Sequence, residues 1–178
     1  MKRSWHVLGG LVVLQGLAAL VYWRVEGGRT TPAAVRSKLR EAPERIDHAF
    51  PKLAVMGPQG RRFPLPAPTR PTLVHLWATW CPPCKEELPG LLQLSAEGSV
   101  QVWAIALDRD WSEVRRLLGE PVPSAVVLAE SAEVERELRV RNLPTTFVAG
   151  GDGRLRWVFH GERDWTQAEL VERWLVNQ

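Results

Sequence analysis

The two cysteines of this 178-residue chain stand together as Trp80-Cys81-Pro82-Pro83-Cys84. That spacing allows reversible disulfide chemistry or half of a soft metal site. A four-thiolate zinc site needs twice as many cysteines, and a structural disulfide framework needs several pairs. The pair follows an apolar run at residues 72–77, interrupted by His75, and precedes a helical pattern over about residues 82–95. A cysteine at a helix start feels the positive end of the backbone dipole, which favours thiolate over thiol. The thiolate is the attacking species in disulfide exchange, so Cys81 is the expected nucleophile. Cys84, about one helical turn farther on, is the expected resolving thiol. Taken alone, the CxxC leaves the dithiol and metal readings both open.

Three more features could serve the same chemistry. Leu143-Pro144-Thr145-Thr146-Phe147 sets a proline at the start of a strand, a place proline also takes on a sheet edge for no functional reason. Glu87 lies one turn beyond Cys84, where burial would raise its pKa toward a useful value. Its neighbour Glu86 reads as an ordinary surface charge, and Glu87 could be one as well. His75, six residues before Cys81, is a candidate proton relay or simply a satisfied core histidine that burial would keep neutral.

Together, WCPPC and LPTTF, with an α/β pattern between them, resemble the thioredoxin superfamily. More narrowly, the run from Leu76 to Pro89, LWATWCPPCKEELP, is similar to the membrane-anchored TlpA/ResA/DsbE-like branch. The likeness extends from about Phe50 to the end. It implies a thioredoxin fold with an N-terminal β-hairpin and a central αβ insertion. It also implies a thiol–disulfide oxidoreductase in which Cys81, Cys84, Glu87 and Pro144 are catalytic and the Cys81–Cys84 disulfide is the redox centre, with no other cofactor and no metal. In that family the proline matching Pro144 is cis and faces the dithiol, and the backbone of Leu143 would pair with an extended target segment. Trp80, Pro82, Pro83, Leu143 and Thr145 are the implied substrate-binding residues. His75 departs from the pattern, because thioredoxins carry a buried aspartate there. Disulfide-containing proteins, apocytochrome c by analogy, are the implied targets, and a membrane thiol-electron carrier the implied reductant. If Cys81 caps the helix, both prolines fall in its first turn and offer the thiolate no N–H. A moderately lowered Cys81 pKa and a reducing disulfide are then expected.

The elements that must position these residues are legible as an alternation of strand-like and helix-like segments. Residues 52–56 and 62–65 flank Gly57-Pro58-Gln59-Gly60, a hairpin signal. Residues 72–77 and 100–107 are continuous apolar runs suited to strands buried on both faces. The helix between them should bend near Pro89. Asp110 and Glu113 mark a helix start for residues 111–118, residues 125–128 read as a short strand, and Val134 with Leu138 give the next helix its buried stripe. Residues 145–148 and 155–159 pair across Gly150-Gly151-Asp152-Gly153. A last helix is expected from Thr166 and Glu169, burying Leu170, Trp174 and Leu175.

Up to Arg70 the chain carries 12 Lys and Arg against 4 Asp and Glu, and after it 11 against 16. A basic leading part and a mildly acidic domain suit a solvated linker or one lying near anionic lipid, and no nucleic-acid partner is expected. Lys2 and Arg3 precede an apolar run over residues 7–23 edged by Tyr22 and Trp23. Residues 1–24 are read as a signal anchor rather than a cleaved signal peptide, because no clean small-residue cleavage site ends the run. Residues 25–50 read as a tether and 51–178 as the folded domain, outside the cytoplasm on the inner membrane. Two rivals remain at this stage. One is a copper chaperone using Cys81 and Cys84 with His75 or His160 as a third ligand. The other is the same dithiol working as an oxidant or isomerase. A peroxidase fits less well, because a peroxidatic cysteine needs neither the CxxC nor the proline.

Overall fold

The computed structural model describes residues 42–98, 100–166 and Trp174. All of these fall within the compact unit from Glu41 to Gln178. The anchor at 1–24, most of the tether and the body of the expected last helix lie outside the described residues. Trp174 alone represents that helix, its ring edge-on to Trp157 with centroids 4.7 Å apart.

Eight strands and three helices are described, in the order β1 (Glu44–Ala49), β2 (Ala54–Met56), β3 (Arg62–Pro64), β4 (Thr72–Trp77), α1 (Pro82–Glu97), β5 (Gln101–Ala106), α2 (Trp111–Leu118), β6 (Val126–Ala129), α3 (Ser131–Leu138), β7 (Thr145–Ala149) and β8 (Arg154–His160). They form one sheet, ordered β1-β8-β7-β4-β5-β6-β2-β3. β4, β5 and β6 run parallel, and β7 is antiparallel to both β4 and β8. This is the thioredoxin-like arrangement of a βαβ unit followed by a β-hairpin. The segment α2-β6 widens the sheet beyond β5, and the hairpin β2-β3 extends it from β6.

β4 is the axis of the domain. All six of its residues are buried, as expected of a strand covered on both faces. Side chains alternate between faces along a strand. Leu73 and Trp77 join Cys81, Cys84, Leu88 and Leu91 in one core cluster. Val74 and Leu76 join Leu53, Phe147, Leu155 and Val134 in the other. His75 shares the face of Leu73 and Trp77, toward α1.

The helices begin and end where their residue types allow. Asp110 caps α2, accepting a hydrogen bond from Ser112 N–H at 2.7 Å. α1 ends at Gly98, whose φ of 73° lies in the left-handed region where glycine is at ease. The exposed Pro89 sits inside α1, and Gly90 lets the chain after β8 pack close. A Cβ there would meet Thr166 Cγ2 at 3.3 Å.

The reading of 25–50 as tether needs correction at its end, because Glu44–Ala49 is a strand paired antiparallel with β8. Five of its six residues are exposed, so it shows no hydrophobic alternation. It is an edge strand held by backbone pairing and charge, with Asp47 accepting from Arg154 Nε at 2.6 Å and Arg45 over the Trp157 ring at 5.8 Å. Charged residues of this kind on an edge are indistinguishable in sequence from a solvated linker.

Leu91 is fully buried between α1 and the sheet. Leu91→Ala is expected to cost about 2–5 kcal/mol in urea unfolding of the oxidised protein. A loss under about 1 kcal/mol would contradict this packing of α1.

Candidate active site

The chain leaves β4 at Trp77 and must reverse into α1 within four residues. The turn is closed by Cys81 N–H donating to Ala78 O at 3.1 Å, and Cys81 becomes the N-cap of α1 with extended backbone, φ −96° and ψ 105°. Pro82 and Pro83 fill the first two helical positions, and no side chain caps the helix. The first turn therefore lacks two of its N–H groups, leaving only the Cys84 N–H open to a capping acceptor. Cys81 and Cys84 are joined by a disulfide of 2.04 Å. Cys81 keeps 4% of its surface exposed and Cys84 none, so an outside thiol can reach only the Cys81 side. Trp80, 68% exposed, stands beside it.

Pro144 arrives at the same end of the sheet. β7 is antiparallel to β4 with Thr145 opposite Leu76, so the start of β7 lies at the end of β4 from which the cysteine turn departs. The Leu143–Pro144 bond is cis, and Pro144 is buried immediately before β7, an interior strand of the sheet. Its carbonyl accepts from Gly161 N–H at 2.9 Å. Leu143 is partly buried and packs against the cluster holding both cysteines. Thr145 is buried, and its hydroxyl donates to Asn142 O at 2.8 Å, shaping the turn before the strand. Beyond the β5 end of the same sheet edge lies a cleft of about 360 Å³, walled by Val55, Leu107 and Leu128 and rimmed by Arg62, Asp108 and Arg109.

Beneath the dithiol lies a buried polar pair. Glu87 falls on the inward face of α1 with Cys84, Leu88 and Leu91, while Glu86 is exposed. The Glu87 carboxyl accepts from Arg163 N–H at 2.6 Å and from Trp165 Nε1 at 3.3 Å. His75 Nδ1 lies 3.1 Å from Glu87 Oε1 and 2.9 Å from Thr146 Oγ1. Both side chains are fully buried. Burial pushes Glu87 up to about 8, against which the Arg163 and Trp165 hydrogen bonds pull only partly. Burial likewise pushes His75 down to about 3. At neutral pH the imidazole is therefore uncharged and the carboxyl largely protonated. The 3.1 Å contact is a hydrogen bond between neutral groups rather than an ion pair, bridged by the carboxyl or the Nδ1 hydrogen. His75 Nε2 has no partner among the described residues.

An exchangeable disulfide with one reachable sulfur, above a carboxyl that holds a proton near pH 7, is equipped for dithiol chemistry. A Redoxin family model matches residues 48–173. The chain belongs to the Redoxin family. It is 25% identical over 175 residues to the thiol-disulfide oxidoreductase ResA of Oceanobacillus iheyensis, covering 90% of this chain and 83% of that protein. It is 30% identical over 149 residues to the thiol:disulfide interchange protein DsbE homolog of Paracoccus denitrificans, covering 82% and 78%. Among solved structures, StoA from Bacillus subtilis superposes with a TM-score of 0.56 at 25% identity, over 71% of this chain and 98% of that one. This Redoxin protein is a TlpA/ResA/DsbE-like thiol–disulfide oxidoreductase with a thioredoxin-like fold.

The structure brings Cys81, Cys84, Glu87, His75 and the start of β7 to one end of the sheet. Sequence reasoning missed the groups that hold Glu87, because Arg163 and Trp165 follow it by 76 and 78 residues, outside any local pattern. It also missed Asp108, whose carboxylate binds Thr79 across 29 residues.

Glu87 and His75 give stability a pH optimum. With its folded pKa raised, Glu87 stabilises fully below about 4.5, and that stability is lost as pH rises through about 8. With its folded pKa lowered, His75 stabilises above about 6.5, and that stability is lost as pH falls through about 3. The two slopes offset each other between about 4.5 and 6.5. The urea midpoint of the oxidised protein should thus fall between about pH 6.5 and 8, and Glu87→Gln should remove that alkaline fall while keeping the acid one. An unchanged alkaline fall in Glu87→Gln would contradict the assignment.

Proposed function

We propose that this thiol–disulfide oxidoreductase works as a reductase of disulfides in exported proteins. In this reading residues 1–24 anchor it in the cytoplasmic membrane and the folded domain lies on the outer side, joined by a tether that ends where β1 begins. Supporting export are Lys2 and Arg3 ahead of the apolar run at 7–23. Among the described residues, no helix is long and apolar enough to cross a membrane.

The observation that carries the reducing direction is the proline pair at the start of α1. A strongly oxidising dithiol owes its potential to a highly stabilised nucleophilic thiolate. Here two N–H groups that could face that thiolate are missing, and no side chain caps the start of the helix. Thiolate stabilisation is correspondingly moderate, and the disulfide is correspondingly reluctant to be reduced, which makes the dithiol a good electron donor.

Reaction begins from the dithiol. The Cys81 thiolate attacks a target S–S bond, forming a mixed disulfide and releasing one target sulfur, which takes up a proton. The Cys84 thiol then loses its proton, and its sulfur attacks Cys81 Sγ. The second target sulfur leaves as a thiol and the Cys81–Cys84 disulfide forms. Two electrons and two protons pass from enzyme to target. In its ionised fraction, which grows as pH rises toward 8, Glu87 would take the Cys84 proton from one helical turn away and return it when the disulfide is reduced again. His75, bonded to the same carboxyl, is the relay or positioning partner. The target chain would lie extended along Leu143, with Pro144 and Thr145 shaping that edge, Trp80, Pro82 and Pro83 flanking the sulfur, and the 360 Å³ cleft beyond. Apocytochrome c, with its CxxCH disulfide, is the leading target by family likeness, and a membrane thiol-electron carrier the reductant.

Trapping tests the order of events. Reduced Cys84→Ser, mixed with an oxidised CxxCH peptide, should accumulate a dithiothreitol-sensitive adduct through Cys81, whereas Cys81→Ser should form none. Equal adducts from both variants, or none from Cys84→Ser, would overturn the assignment. Glu87→Gln should slow resolution of the wild-type adduct by about 100-fold without slowing its formation comparably, as measured by rapid quench.

A further inference from the structure

The turn that presents Cys81 is held from outside its own sequence. Thr79, midway between the end of β4 and Cys81, has its N–H and its hydroxyl both committed to one carboxylate. The N–H donates to Asp108 Oδ2 at 3.1 Å and Oδ1 at 3.3 Å, and the hydroxyl donates to Oδ1 at 2.6 Å. Asp108 is 8% exposed and stands just beyond β5, where Leu107 N–H donates to Trp77 O at 2.9 Å and extends the β4–β5 ladder by one rung. The carboxylate is therefore mounted on the rigid centre of the sheet.

We propose that Asp108 is a positioning residue for the dithiol: it fixes the turn at Thr79 that aims Cys81, and its fixed negative charge opposes the Cys81 thiolate. The inference rests on the dithiol reading above. α1 supplies no side-chain cap that could hold Cys81 from the helix side, because its first two positions are prolines. The constraint on Cys81 comes from the turn instead, through Cys81 N–H to Ala78 O and Thr79 to Asp108. The Cα atoms of Thr79 and Cys81 can be no more than about 7 Å apart. A carboxylate bonded to Thr79 is thereby held on the turn that carries the sulfur, where its charge disfavours a second negative one. The charged and titratable groups around the turn are Asp108 and Arg109 after β5, Lys85 and Glu86 on α1, and the buried Glu87–His75 pair. Of these, Asp108 is bonded to the turn itself.

The test uses reduced full-length protein and two readouts. One is the Cys81 thiolate pKa, taken from iodoacetamide alkylation against pH with the modified cysteine identified by peptide mass. The other is the equilibrium of the dithiol with glutathione. Asp108→Asn keeps the shape and removes the charge, and is expected to lower the Cys81 pKa by about one unit and to shift the glutathione equilibrium toward the dithiol, by about tenfold at a pH above both pKa values. Thr79→Ser, which keeps the hydroxyl, should behave as wild type in both. If Asp108→Asn does not fold, Thr79→Val keeps the charge but loses the 2.6 Å bond that holds the turn aiming Cys81 at Cys84; with disulfide closure less favoured, the glutathione equilibrium should shift toward the dithiol severalfold. An unchanged Cys81 pKa in folded Asp108→Asn, or a wild-type equilibrium in Thr79→Val, overturns the proposal. A wild-type protein that fails to exchange with glutathione at all overturns the dithiol reading instead, while the alkylation curves still decide the role of Asp108.

Discussion

Burial of the Glu87 carboxyl is the constraint around which this structure is organised. A charged carboxylate without water is costly, and the protein meets that cost by keeping the group neutral and bonding it from three sides. The carboxyl and its partners come from three different elements. α1 carries Glu87, β4 brings the neutral His75, and the stretch after β8 brings Arg163 N–H and Trp165 Nε1. Packing that stretch onto α1 needs a close approach, and Gly90 leaves the room. One buried proton thus ties the central strand, the cysteine helix and the end of the hairpin into a single unit beneath Cys84.

The redox chemistry then follows from where the two cysteines sit relative to this unit. Cys81 lies at the rim and Cys84 inside, which in the proposed mechanism confines exchange with another protein to one sulfur and leaves proton transfer to the other. The prolines after Cys81 withhold N–H groups from the thiolate, while Asp108 anchors the turn from β5. In the proposed reading both features act against a strongly stabilised thiolate. A reducing dithiol needs that same balance, because a nucleophile that is too comfortable as thiolate is a better oxidant in its disulfide form.

How much of this was legible in sequence depended on whether the signal was local. The CxxC, the mostly apolar β4 and β5, the glycine-rich turn before β8 and the cap at Asp110 are all carried by neighbouring residues, and the expected bounds agree with the observed ones to within one or two positions. β1 was read as tether because an exposed edge strand such as ERIDHA owes its form to β8 and not to its own hydrophobic period. His75 could be placed in a buried strand from sequence, yet its partner could not, since Glu87 meets it only when α1 folds back over the sheet. The Thr79–Asp108 bonds were invisible for the same reason: a threonine and an aspartate 29 residues apart carry no pattern.

The reduction potential of the Cys81–Cys84 couple, measured on the full-length protein against dithiothreitol at pH 7, tests the central claim most directly. A moderately stabilised thiolate above a protonated carboxyl predicts a potential near that of thioredoxin, about −270 mV, or lower. A value near −120 mV, in the range of the strong disulfide oxidants, would contradict the reducing direction and the account of the proline-capped helix on which it rests.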